Sequence, residues 1–368
     1  MKKLLITSVG SLVGQNVLDT LEGRRENLRI IGTNSVAEAA GNFRCDSSFL
    51  VASAAERQRF VADLVRIISD EKPDVIVPGR DADIEILARI RETDFPESTA
   101  FLCGSPEFAA IMDDKVRSYT FAEAYQLPFA RSCETGQADS LAEAQKLVAE
   151  YGYPLIAKPK AGNGSRGIWV VTNEAQLERS SALIGYAMQP LLGHDEPIEM
   201  QTEYGIPFVW EVPENALYAA QVLIGKNGEI LGKIAFVSRM VMGKCEQITH
   251  VEDPKLMQVV MRFAEQAIAA GWIGPLNLQF KKDSTRGFQA IEMNGRFSGG
   301  TSARLYLGYD EVQLLLNHWI GENIIPASAL EGISRTVTKS LCDFPIRPKD
   351  VATLSTTGQW SRSESTSS

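Results

Sequence analysis

Histidine is scarce in this chain of 368 residues. His194, His250 and His318 are the three present and stand far apart, which argues against a zinc site or a histidine-based triad. Cys45, Cys103, Cys133, Cys245 and Cys342 show no C-x-x-C spacing; an odd, dispersed set reads as reduced thiols in a cytoplasmic protein, not a disulfide framework. No stretch approaches 18 uninterrupted apolar residues, so no membrane span is expected. The opening MKKLLITSVG is too short an apolar run for a signal peptide and reads as a first strand. A basic excess is also missing: Lys+Arg 37 against Asp+Glu 46 leaves a net charge of −9. That opposes a general nucleic-acid or anionic-membrane surface, while leaving room for a local phosphate pocket. No G-K-[ST] opens a helix, and no internal repeat is visible. With 44% apolar and 23% charged residues, the chain is globular and long enough for two or three packed units.

Residues 1–105 alternate strand and helix, which predicts a parallel, doubly wound sheet. The first turn, TSVGSLVGQN, departs from G-x-G-x-x-G, and the second strand ends in Thr33-Asn34 instead of an acid for a ribose diol. A structural or substrate-side helix N-terminus is the stronger reading than a dinucleotide site. Pro106–Leu127 predicts one helix, with MDDK placing Lys115 near its start. Strands at Pro154–Pro159 and Ile168–Thr172 flank the loop Gly162-Asn163-Gly164-Ser165-Arg166-Gly167. Such a loop can bend backbone N–H groups over a phosphate chain, and Lys158 on the first strand can reach the same phosphates. Lys226-Asn227-Gly228 fits a hairpin turn. Ser238-Arg239 and Gly243-Lys244 are either anion contacts or solvated charges.

The stretch LNLQFKKDSTRGFQAIEMNGRFSGGT, residues 276–301, reads as two strands joined by a polar turn and followed by a glycine-rich turn. If the strands pair, Gln279 shares a face with Glu292, and Asn294 lies two residues on along the same side. Two amide carbonyls and a carboxylate are hard oxygen donors of the kind magnesium takes. Arg296, two residues further, is placed to serve an anion.

Glu-x-Asn-x-Arg before a Ser-Gly-Gly turn, preceded by the glycine loop about 130 residues earlier, resembles the ATP-grasp enzymes. The likeness is strongest to the synthetase units of carbamoyl-phosphate synthase and to single-copy carboxylate–amine ligases, and it runs over roughly residues 1–325. It implies an α/β chain, α+β in the ATP-grasp part: a Rossmann-like domain over 1–105, a linker helix and lid over 106–188, and a nucleotide- and metal-binding domain over 189–347. Residues 348–368, rich in Ser and Thr, predict a disordered tail.

The resemblance further implies ATP with Mg2+ (or Mn2+), small-molecule carboxylate and amine substrates, and a possible homodimer. Gln279, Glu292 and Asn294 would hold the metal. Lys115, Lys158, Gly162, Gly164, Ser165 and Gly167 would hold phosphates. Gln189 and Leu191 would lie along the adenine, and Glu196, or Glu199 or Glu203, would take the ribose hydroxyls. Arg296 would bind acyl-phosphate oxygens or the acceptor's carboxylate, with Asn294 beside it. Gln279 is neutral where many such ligases carry an acid, which brings the chain nearer to carbamoyl-phosphate synthase. The implied chemistry is ligation through an acyl phosphate; bicarbonate phosphorylation and a non-catalytic ATP-binding module are the alternatives. The Gly79-Arg80-Asp81 turn is among the loops expected to select substrates.

Overall fold

A computed structural model describes residues 1–98, 100–162, 167–193, 217–241, 244–330, 332–340 and 342–362. The chain opens as β1 (Lys2–Ile6), α1 (Leu12–Leu21), β2 (Leu28–Asn34), α2 (Ala40–Arg44), β3 (Ser47–Leu50), α3 (Arg57–Glu71), β4 (Val75–Val77) and α4 (Asp81–Asp94). Its strands lie parallel in the order β3-β2-β1-β4. Leu4, Leu5, Ile6, Ile30 and Ile31 are wholly buried, as apolar runs covered on both faces by helices should be. The strand expected near residues 100–103 amounts to one parallel bridge between Ile76 and Phe101. Sequence periodicity did not reveal α2 and β3, which are too short to show one.

Pro106–Leu127, expected as a single helix, is two: α5 (Pro106–Asp113) and α6 (Lys115–Ala124). Asp114 sits between them in extended conformation, and its side chain accepts hydrogen bonds from the Val116 and Arg117 amides. Aspartate at such a cap restarts the helix and fixes where Lys115 begins. Next come β5 (Cys133–Glu134), α7 (Ser140–Tyr151), β6 (Leu155–Pro159), β7 (Trp169–Val171), α8 (Glu174–Ser181) and β8 (Tyr186–Pro190). They form an antiparallel sheet in the order β5-β8-β6-β7. Leu147, Leu155, Val171, Leu177 and Met188 give it an apolar cluster of its own.

The third sheet is built from β9 (Leu217–Ile224), β10 (Ile230–Val241), β11 (Lys244–His250), then, after α9 (Pro254–Ala269), β12 (Gly274–Asp283) and β13 (Gly287–Asn294), and, after α10 (Thr301–Tyr306) and α11 (Glu311–Ile320), β14 (Thr336–Thr338). Its order is β13-β12-β9-β10-β11-β14, all antiparallel. Val222, Leu276, Leu278 and Phe280 pack with Leu256, Val260 and Phe263 of α9. Ala219, Leu223 and Phe236 belong instead to the cluster that holds Val312 and Leu315 of α11 together with Leu4, Ile6 and Val17 of the first domain. The outer edge of β13 is covered: Ala290 donates to the Pro128 carbonyl at 2.9 Å and accepts from Ala130 at 2.7 Å.

The tail departs from the expected disorder. Pro348–Thr357 forms α12, and Gln359–Ser361 forms β15, which pairs antiparallel with β3. Trp360 meets Phe43 edge-on with ring centroids 5.3 Å apart. Two buried side chains, Leu354 and Trp360, suffice because they dock on an existing sheet edge. A composition dominated by Ser and Thr hides so sparse an apolar pattern.

Candidate active site

The register of the β12–β13 hairpin puts Gln279 opposite Glu292 and Asn277 opposite Asn294. On the other side of β12, β9 places Ala219 beside Gln279 and Gln221 beside Asn277. Two polar rows therefore cross the face away from α9: Gln279–Glu292, and Gln221–Asn277–Asn294 two residues along. The alternation that buries Leu276, Leu278 and Phe280 on one side makes this face. The ladder slips between Gln279 and Phe280, leaving Ile291 as a bulge residue. A bulge re-aims backbone groups, and here the Ile291 carbonyl accepts from Lys158 Nζ at 3.3 Å.

Lys115 and Lys158 converge on Glu292 from different elements. Lys115 is buried at the start of α6; its Nζ lies 3.6 Å from Glu292 Oε1 and donates to the carbonyls of Lys160 at 3.2 Å and Gly162 at 3.4 Å. Lys158 comes from β6. Burial pushes its amine down to about 7, against the pull of Glu292 and with the help of Lys115. Gly162 and Gly167, at the ends of the glycine loop, both adopt positive φ. Gly164 and Ser165 lie outside the described residues, as do Glu196, Glu199 and Glu203. Gln189 is buried, with its amide donating to Ser132 Oγ at 2.6 Å, and the Leu191 amide is engaged by the Pro154 carbonyl at 3.2 Å.

Arg296 does not stand open for an anion, as expected from sequence. Its guanidinium pairs with Asp81: Nη2 donates to Oδ2 at 2.7 Å, Nε lies 2.7 Å from Oδ1 as an ion-pair contact, and Nη2 also donates to Asn294 Oδ1 at 3.2 Å. Asp81 begins α4, beyond a turn in which Gly79 is compulsory: a Cβ there would come within 2.0 Å of the Thr7 carbonyl. Asp113, at the end of α5, stands close enough for its carboxyl to be raised by burial and then by the Asp81 charge. After Arg296 the chain turns through Ser298-Gly299-Gly300. Arg304, wholly buried, holds that turn from below: it bonds Ser298 Oγ at 2.9 Å and Thr301 Oγ1 at 3.0 Å and pairs with Glu311 at 2.5 Å. Lys339 reaches the same turn at Gly299 O, 2.5 Å, and Asn16 of α1 at 2.6 Å.

Sequence reasoning missed Gln221, Asp113, Arg304, Glu311 and Lys339 as members of this cluster. Asn277 was legible, since it alternates with Gln279. Lys339 gave no signal, being brought in by tertiary packing alone. At the other end of β10, Arg239 pairs with Glu246 at 2.6 Å. Ser11, in the first turn, caps its own helix and donates to the Gly79 carbonyl at 2.8 Å, so it secures the turn that leads into Asp81.

Residues 114–189 match the family described as "Carbamoyl-phosphate synthase L chain, ATP binding domain". Among solved structures, N5-carboxyaminoimidazole synthetase from Staphylococcus aureus, complexed with ADP, superposes with a TM-score of 0.66 at 11% identity, covering 87% of this chain and 78% of that one. The chain has the ATP-grasp fold. The biotin carboxylase domain of Hydrogenobacter thermophilus 2-oxoglutarate carboxylase, a dimer with MgADP, ADP and bicarbonate, gives a TM-score of 0.64 at 18% identity, covering 88% and 72%. By sequence, biotin carboxylase of Halalkalibacterium halodurans is 25% identical over 185 residues, 49% of this chain and 40% of that protein. Biotin carboxylase 2 of Bacillus subtilis is 23% identical over 239 residues, 63% and 51%. The ATP-grasp chain thus spans about half the length of these relatives. Among its described residues, no helix is long and apolar enough to cross a membrane.

Proposed function

We propose that this chain is an ATP-dependent ligase that activates a carboxylate as its acyl phosphate and passes it to an amine. The observation that carries this is the convergence of Lys115, Lys158 and Glu292, from three separate elements, around a hairpin that sets Gln279 opposite Glu292. Two cations suit a triphosphate. A carboxylate opposite an amide carbonyl suits a hard divalent ion that also takes phosphate oxygens and water. Asn294 fits as a further donor, because its carbonyl oxygen spends one lone pair on Arg296 and retains the other.

ATP and magnesium are therefore the cofactors assigned, with Gln279, Glu292 and Asn294 holding the ion and Gly162, Gly164, Ser165 and Gly167 covering phosphate. Bound magnesium would neutralise charge on the transferring phosphoryl group. The chain's own residues position and shield: Lys115 and Lys158 orient phosphates, and the small sheet carrying Gly162 and Gly167 excludes water from the acyl phosphate. Arg296, paired with Asp81, holds Asn294 in place beside the metal row. The reduced cysteines support a cytoplasmic site of action, and a homodimer is the assembly assigned.

A second reading has support of its own. Several relatives are carboxylases, and one solved neighbour holds bicarbonate, so bicarbonate itself is the competing acid. A panel of carboxylic acids and amines, scored by ADP release and by trapping the intermediate with hydroxylamine, separates the two. Hydroxamate formed only with ATP and one organic acid is the expected result. ADP release driven by bicarbonate without any organic acid would replace the first reading with the second. Binding of ATP with no turnover across the panel would favour a non-catalytic module.

A further inference from the structure

The row Gln221–Asn277–Asn294 contains two buried donors that nothing in the described structure uses. Gln221 is fully buried, and its Oε1 accepts from Asn277 Nδ2 at 3.1 Å and from Arg304 Nη2 at 3.4 Å. Arginine has only donors to offer, so these contacts fix the carbonyl toward Arg304 and turn Nε2 away. Asn294, 3% exposed, is fixed in the same manner by Arg296 at 3.2 Å. Gln221 Nε2 and Asn294 Nδ2 are both left buried without a partner among the described residues. A buried donor is costly to leave without an acceptor, so two in one cross-strand row point to an acceptor that comes and goes.

The row's chemistry narrows that acceptor. Both orphans are neutral amides, and the two flanking guanidiniums are already paired, Arg304 with Glu311 and Arg296 with Asp81. The guanidiniums that touch the row therefore bring no unpaired charge to it for a phosphate. A singly charged planar oxyanion needs only directed N–H groups. The row also lies two residues along the strands from Gln279 and Glu292, about 7 Å at the usual rise, which is within reach of a phosphate carried there.

We infer that Gln221 is a specificity-determining residue: its Nε2, with Asn294 Nδ2, receives the oxygens of the carboxylate that is to be phosphorylated. This rests on the ligase reading above. An organic carboxylate and bicarbonate share the recognised chemistry. Gln221→Glu tests the assignment, because it preserves the acceptor that faces Arg304 and Asn277 while replacing the donor by an acceptor. Gln221→Met removes both and guards against a folding defect peculiar to a buried carboxylate.

Acetate, glycine and bicarbonate are titrated calorimetrically into wild type and both variants, each saturated with magnesium and a non-hydrolysable ATP analogue. Wild type is expected to bind at least one probe, and both variants to bind it about 10–100-fold more weakly with unchanged affinity for the analogue. Acetate or glycine binding without bicarbonate identifies an organic acid; the reverse identifies bicarbonate. The inference is overturned if the variants bind the probe as wild type does, or if wild type holding the analogue takes none of the three. Failure of wild type to bind the analogue at all removes the ligase reading itself, and this inference with it.

Discussion

Two hairpins face each other across the site, and they are built differently. The β12–β13 hairpin is held on every side: α9 covers one face, the buried Arg304–Glu311 pair underpins the turn that follows it, and residues 128–130 bond its outer edge. The β6–β7 hairpin belongs to a small sheet whose apolar cluster shares no buried residue with the larger cores. It meets the β12–β13 hairpin through polar contacts: Lys158 donates to the Ile291 carbonyl, and Lys115 of α6 bridges the Gly162 carbonyl and Glu292. The Gln279–Glu292 row sits on the fixed hairpin, while the strands proposed to cover phosphate ride on a separately packed unit. That division suits an enzyme that must admit a nucleotide and then exclude water.

The largest expected effect falls on the support of the fixed hairpin. Glu311→Ala leaves Arg304 charged, fully buried and without its carboxylate. Removing one partner of such a pair typically costs about 3–5 kcal/mol, whatever the net worth of the pair. Thermal or urea unfolding of the variant should show that loss, together with failing activity. A midpoint unchanged from wild type would mean the turn does not depend on this pair.

Glu292→Ala should separate chemistry from scaffold. Glu292 is partly exposed and does not anchor the hairpin, so the fold should survive. Loss of a charge-stabilising group in a preorganised site costs about 10²–10³ in turnover. Rapid-quench or coupled assays at limiting magnesium check this, and near wild-type rates would remove Glu292 from the metal site.

How much of this was visible in the sequence divides along the same line. The fixed hairpin was legible because strand alternation and a polar turn determine which side chains share a face, and Gln279 opposite Glu292 follows from pairing alone. Lys115 and Lys158 were legible through the order of motifs. The engagement of Arg296 by Asp81 was not, because the two are separated by 215 residues and meet through packing of the first domain against the third. Gln221 was hidden for a similar reason: a glutamine in the apolar run Leu217–Ile224 signifies nothing until β9 is known to lie beside β12. The split at Asp114 was within reach, since an aspartate ahead of Lys115 carries the signature of a helix start. The docked tail was not, because its anchoring surface lies on β3.

The mildest expected effect concerns the contact between the two hairpins, and it is read through protons. In the ligand-free protein, burial and Lys115 hold the Lys158 amine near 7, well below an unfolded lysine at about 10.4. Between those values the unfolded chain binds more protons, so this group alone makes stability rise with pH from about 7 to about 10. Lys158→Met should flatten that part of the profile. Nucleotide reverses the balance. A triphosphate beside the amine favours its charged form, so binding should draw in a proton wherever the empty site has lost one. Affinity for an ATP analogue should therefore be highest at and below pH 7 and weaken above it, by at most about tenfold per unit for a single linked proton. Calorimetry at pH 8 in two buffers of different ionisation heat measures the uptake directly. Wild type should take up close to one proton more than Lys158→Met; equal uptake by the two proteins would remove Lys158 from the phosphate site.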